Sequence, residues 1–187
     1  MIRYRPPQPN SSPYISKPGY KMLNEELKGL WVTRREVTVA LSAAAAEGDR
    51  SENAEYIYRK KQLREIDRRI RYLQKRLDEL IIVDKPPTNQ QQVFFGAWVE
   101  LEDEEGSRVT YRIVGPDEFN VEKSWISMDS PVARALMKKC LDDEVNVQRP
   151  AGRIRYIITG IHYTENWVMI ADDDNNSENH THRKNSG

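Results

Sequence analysis

The chain has 187 residues, 38% of them hydrophobic and 31% charged, and its 29 Lys and Arg balance 29 Asp and Glu, so any attraction to a charged partner must come from where the charges sit. No apolar run reaches the roughly 20 residues of a spanning helix, and Met1-Ile2-Arg3-Tyr4-Arg5 leads into Pro6, Pro7 and Pro9 rather than an apolar signal segment, which predicts a cytoplasmic protein without a membrane partner. Cys140 is the single cysteine, which excludes an internal disulfide and a cysteine-built zinc cage and suits a half-buried structural thiol in a reducing compartment.

Residues 1–15 are rich in proline and serine, lack periodicity, and are expected to form a disordered N-terminal extension. Ser16 is placed to cap a helix with Pro18 in its first turn, and apolar sites then recur at spacings of three and four: Tyr20, Leu23, Leu27, Leu30, Val37, Leu41 and Ala44, with Arg34 interrupting the seam. After Gly48 the rhythm returns in Tyr56, Leu63, Ile66, Ile70, Leu73, Leu77 and Leu80, with Arg59 in the same register. Two heptad helices joined by so short a turn fold back on each other, which predicts an antiparallel coiled-coil hairpin over residues 16–84. Gly48 supplies the freedom to reverse, and Ala43-Ala44-Ala45-Ala46 let the helices approach closely at the tip. Arms of about 30 residues at 1.5 Å each make a rod of roughly 45 Å. Along the second arm run Arg59, Lys60, Lys61, Arg64, Arg68, Arg69, Arg71, Lys75 and Arg76 against only Glu65 and Asp67. This stripe is either a solvated face flanking the seam or, with Tyr56 able to stack on a base, a track for single-stranded nucleic acid.

Val83-Asp84-Lys85-Pro86-Pro87 is expected to end the second helix, with residues 85–91 as a linker. Within 92–170, stretches 93–101 and 108–114 alternate as strands about Asp103-Glu104-Glu105-Gly106, and 124–128 reads as another short strand. Ser130 is placed to cap a short helix from Pro131 through Met137. Segments 145–147 and 154–162 then close a hairpin about Pro150-Ala151-Gly152. The fold class expected is α+β: a helical hairpin followed by a small antiparallel sheet carrying one helix. This second half is mildly acidic, in contrast to the basic stripe. Residues 171–187 are expected to be a disordered tail, in which His180, His182 and Asp172 to Asp174 have metal-binding chemistry but no fixed geometry.

Asp49 and Glu52 stand three apart where the second helix is expected to begin, near Ser51. One reading is capping: Asp49 or Ser51 as N-cap and Glu52 in the first turn, each stabilising the helix by about 1 kcal/mol. The other is a carboxylate pair on a slender probe, donating ligands to a divalent cation in a partner's site, where the cation activates water for phosphodiester attack. A probe without a cavity does not catalyse alone.

Gly48-Asp49-Arg50-Ser51-Glu52-Asn53-Ala54-Glu55-Tyr56 closely resembles the tip signature of the bacterial Gre transcript-cleavage factors. Lys60-Lys61-Gln62-Leu63-Arg64-Glu65-Ile66-Asp67-Arg68-Arg69-Ile70-Arg71-Tyr72-Leu73 looks like the GreB branch of that family. So do Phe94-Phe95-Gly96-Ala97-Trp98-Val99-Glu100 and Asp129-Ser130-Pro131-Val132-Ala133-Arg134-Ala135-Leu136. The resemblance covers nearly the whole chain except the tails. Lys138 stands where the GreA branch typically has glycine, and Asp142 replaces a glycine common to both branches, a departure expected to alter the local turn.

The resemblance implies an FKBP-like second domain and a factor that enters the secondary channel of RNA polymerase as a monomer, stimulating the polymerase's cleavage of backtracked RNA without being an enzyme itself. Asp49 and Glu52 would sit beside the catalytic magnesium and hold it jointly with the polymerase, binding none tightly alone. Tyr56, Arg59, Lys60, Lys61, Arg64, Arg68, Arg69 and Arg71 would hold the RNA near its 3′ end, and Asp129, Ser130 and Pro131 would contact the channel rim. Two other readings remain open: a factor that occupies the channel as a plug and inhibits or competes, and a prolyl isomerase or chaperone built on the second domain.

Overall fold

The capping expected of Ser16 is realised in the computed structural model, which describes residues 11–46, 52–149 and 152–163. Ser16 Oγ accepts from the Gly19 amide at 3.1 Å and opens α1 (Lys17–Ala46), with Pro18 in the first turn. The second arm is α2 (Ala54–Glu79), and the two pack antiparallel through the expected seam. Near the base, Leu23 and Leu73 are buried among Tyr20, Leu27, Leu30, Leu77 and Leu80. Further out, Val37, Ile66 and Ile70 continue the seam, and Ala44 is buried close to the tip. Arg34, the interruption, is answered by Asp67 at 2.6 Å. Each such seam residue stabilises the pair by roughly 1.5–3 kcal/mol.

The base departs from expectation in two places. The second helix ends at Glu79 and not at the prolines beyond, because Leu80 turns extended and Ile81-Ile82-Val83, all β-branched, form strand β2 (Ile81–Val83). Its partner is β1 (Tyr14–Ser16), paired in parallel with Tyr14 beside Ile81 and Ser16 beside Val83. The extension is therefore ordered over residues 11–15, and Ile15 is fully buried against Leu23 and Leu73. Residues 1–10, 47–51, 150–151 and 164–187, and with them the expectations for Gly48, for Pro150-Ala151 and for the C-terminal segment, fall outside the described residues.

Beyond the linker, a five-stranded sheet has the order β5-β4-β3-β7-β6, built from β3 (Trp98–Asp103), β4 (Arg108–Val114), β5 (Trp125–Ser127), β6 (Glu144–Arg149) and β7 (Gly152–His162). Gly106 at φ +78° makes the turn from β3 to β4. Residues 93–97 form a loop ahead of β3 rather than its first half, held by hydrogen bonds between Val93 and Lys138 and Lys139. The sheet is also not wholly antiparallel. The chain leaves β4 through a 3₁₀ turn (Pro116–Glu118), and β5 runs parallel to β4. Helix α3 (Pro131–Leu136), capped by Ser130 Oγ accepting from the Ala133 amide at 3.1 Å, covers one face. There Val99, Leu101, Ile113, Leu136, Val147 and Ile158 form the core. Lys138 (φ +66°) and Asp142 (φ +64°) both adopt the left-handed conformation. Asp142 thus keeps a glycine-like turn instead of remodelling it, and its amide donates to Ile158 O at 2.9 Å.

Hairpin and sheet meet through a polar junction. Arg76, 7% exposed, donates from Nε to Asp117 Oδ2 at 2.8 Å and from Nη2 to the Ser12 carbonyl at 2.5 Å. The Tyr72 hydroxyl donates to Asp117 Oδ1 at 2.9 Å. Ser12 donates from its amide (2.9 Å) and hydroxyl (2.5 Å) to the two carboxylate oxygens of Asp129. The buried Glu118 accepts from the amide and hydroxyl of Ser16. The elements come so close that a Cβ on Gly19 would collide with the Glu118 carboxylate. Glycine is required there by contact, not by backbone angle.

Candidate functional site at the hairpin tip

The second arm starts at a residue the periodicity passed over. Asn53 is the N-cap of α2: its Oδ1 accepts from the Tyr56 amide at 3.0 Å and its Nδ2 donates to the Ala44 carbonyl at 2.9 Å. The first bond satisfies a free amide of the helix start, and the second ties that start to the end of α1. This overturns the capping roles considered for Asp49, Ser51 and Glu52. Glu52 lies in a turn ahead of the cap and is exposed, and Glu55 is the acidic residue of the first turn. Asp49 and Ser51 lie outside the described residues. An Asn directly before Ala54-Glu55 is itself a helix-start signal, and it could have been read as one.

The basic stripe divides by partner. Arg59 is half-buried and bonds Glu55 at 2.7 Å and Gln62 at 3.2 Å, while Lys60 lies 5.5 Å from the half-buried Tyr56 ring. Arg69 makes a two-pronged bond to Glu26 at 2.6 and 2.8 Å, and those hydrogen bonds hold its guanidinium above its ordinary pKa. Lys61, Arg64, Arg68 and Arg71 are exposed and have no carboxylate partner among the described residues. Their spacing of three and four sets them on one face, turned away from the seam. Arg76, counted in the stripe by sequence, is instead buried in the junction. What remains is a narrower cationic face about 15 Å long from Lys61 to Arg71.

The three sheet-domain residues do not share one role. Ser130 caps α3, Pro131 is exposed at its first position, and the Asp129 carboxylate is occupied by Ser12.

Glu52 and Glu55, the two exposed carboxylates in the described part of the tip, do not by themselves make a cation site, since Glu55 is turned to Arg59 and hard divalent cations take six or more oxygen ligands. Among the described residues no group of three or more Asp, Glu, His or Cys is arranged to hold a metal ion. No described helix is long and apolar enough to cross a membrane.

Comparison with known proteins covers both parts of the chain. Residues 13–82 match the family described as transcription elongation factor, N-terminal, and residues 87–163 match transcription elongation factor, GreA/GreB, C-term. A transcription elongation factor GreB from Xanthomonas axonopodis pv. citri is 56% identical over 165 residues, spanning 87% of this chain and 98% of its own. One from Haemophilus influenzae is 60% identical over 153 residues, 81% of this chain and 97% of its own. Among solved structures, the GreA factor homolog 1 (Gfh1) protein of Thermus thermophilus is 26% identical, spans 80% of this chain and 97% of its own, and has a TM-score of 0.37.

Proposed function

This chain belongs to the GreA/GreB family of transcription elongation factors, and we propose that it enters the secondary channel of RNA polymerase and stimulates the polymerase's own cleavage of backtracked RNA. It is an accessory factor in transcription elongation, not a catalyst in its own right. It acts as a monomer in the cytoplasm, releases a 3′ fragment and restores an extendable RNA end. The observation that carries the reading is the exposed Glu52 turn, fastened by Asn53 at the far end of a narrow rod, with Asp49 three residues ahead of it in sequence.

In this reading Asp49 and Glu52 supply carboxylate ligands to magnesium held jointly with the polymerase. When bound, that ion makes water a competent nucleophile at neutral pH. Lys61, Arg64, Arg68 and Arg71 attract the phosphates of the extruded strand, Lys60 lies against Tyr56 where a base can stack, and Arg59, over the Tyr58 ring, adds charge nearby. Arg69, on the flank of the seam and held by Glu26, adds positive charge beside this face rather than on it. Asp129, Ser130 and Pro131 face the channel rim.

The test is a purified backtracked complex with magnesium, to which the protein is added. Short 3′ RNA fragments are expected, and none would sink the reading. Asp49→Asn and Glu52→Gln should each slow stimulated cleavage by about a hundred-fold while polymerase binding persists. An Asp49→Asn protein working at the full rate would refute the role of the tip. Charge reversal at Arg64 and Arg68 should change fragment length, and an unaltered pattern counts against the RNA track.

A further inference from the structure

The Asp129 carboxylate, expected to meet the polymerase, is engaged inside the molecule: both of its oxygens accept from Ser12. The same Ser12 offers its carbonyl to Arg76 of α2 at 2.5 Å, Arg76 is held by Asp117 at 2.8 Å, and Asp117 is held by Tyr72 at 2.9 Å. An unbroken line of hydrogen bonds thus runs from the docking turn, through the N-terminal segment, to the root of the rod. Its members come from distant parts of the chain. The Arg76 and Asp117 side chains are 8% and 9% exposed, so their bond is shielded from competing water.

We infer that Ser12, Arg76 and Tyr72 are positioning residues that set the angle of the acidic rod relative to the docking turn at Asp129, and this rests on the function proposed above. The physical reason is leverage against tolerance. Over a rod of roughly 45 Å, a rotation of about 5° at the base moves the tip by about 4 Å. A metal–oxygen bond is only about 2 Å long, and misplacement by about 1 Å can cost up to a hundred-fold in rate. A polar relay suits this task better than an apolar contact, because hydrogen bonds fix direction and hydrophobic burial does not. Ser16 and Glu118 add a second attachment on the same side. Asp129 then acts through Ser12 as well as facing outward.

The experiment uses the full chain in two arms. Exposed Lys61 and Glu105 are changed to cysteine on a Cys140→Ser background, spin-labelled, and their separation is measured by pulsed electron resonance. The parent is expected to show one narrow distance distribution, and Ser12→Ala combined with Tyr72→Phe a broadened one. In the cleavage assay, the unlabelled double variant should lose about ten-fold in maximal stimulated rate, with its half-saturating concentration changed less than about two-fold. Ser12→Thr combined with Tyr72→Phe, which returns the hydroxyl bond to Asp129 that Ser12→Ala removes, should recover part of both readouts. These substitutions leave Arg76 and Asp117 paired, so the fold is retained. A narrow distribution with a full maximal rate in the double variant overturns the inference. So does a raised half-saturating concentration at an intact maximal rate, which would make Ser12 a docking residue only. A parent that stimulates no cleavage overturns the proposed function and the claim on rate together, while the distance arm still decides whether the relay sets the angle.

Discussion

The two ends of α2 use the same residue types for opposite purposes. At the outer end Arg59 pairs with Glu55 one turn away, and the pair is open to solvent, with Arg59 half-buried and Glu55 exposed. At the inner end Arg76 pairs with Asp117 from another domain, and both are buried. Exposed i,i+4 pairs stabilise by a few tenths of a kcal/mol, whereas a buried pair punishes loss of one partner, because the survivor is left charged and desolvated. The outer end is thereby free to offer its charge to a partner, and the inner end has committed its charge to architecture.

The widest contrast is expected from alanine at each arginine. Arg76→Ala should lower the unfolding free energy by about 3–5 kcal/mol, and Arg59→Ala should change it by less than about 0.5 kcal/mol. Urea denaturation of the two variants checks this, and equal midpoints would erase the distinction. Asn53→Ala removes both the α2 cap and the tie to Ala44, and should cost about 1 kcal/mol. Faster amide exchange should then appear around Tyr56 but not around Arg76, and a uniform increase would show that the tip is not a separate unit. Asp142→Gly, remote from both ends, should relieve a left-handed backbone and raise stability by about 0.5 kcal/mol in thermal melts.

The smallest effect lies at alkaline pH. Burial, and then the hydrogen bond to Asp117, push the Tyr72 hydroxyl above its ordinary value of about 10. Folding therefore favours the protonated phenol. The contribution is full below about pH 10 and is lost as pH rises through the raised value. Burial pushes Tyr163 in the same direction. Tyr72→Phe should flatten part of the alkaline loss of stability and leave the Tyr163 part. An unchanged profile would show that the junction does not respond to this proton.

The hairpin was legible because Leu23, Leu73 and their neighbours repeat at heptad spacing, and because local signals at Ser16 and Ser130 act over three residues. The junction was not legible. Arg76 belongs by sequence to a run of nine basic residues, and only its contact with Asp117, far along the chain, distinguishes it from Lys75. Strand β1 is three residues long in a proline- and serine-rich stretch, and its existence depends on Ile81-Ile82-Val83 arriving alongside. The parallel placement of β5 likewise follows from how the chain leaves β4, which no alternation of side chains encodes. At the tip, the exposed acidity of Glu52 was legible, and the Asn53 tie to Ala44 was obscured because the more acidic neighbours drew the capping assignment.

Ser16 gives the junction a further property. Its hydroxyl oxygen accepts from Gly19 to begin α1 and, through its proton, binds Glu118 of the sheet domain. The first turn of the rod and its attachment to the sheet thus share one atom, so neither opens without disturbing the other. Fraying at this end is expected to accompany domain separation, and hydrogen exchange at the Gly19 amide is the measurement that would follow it.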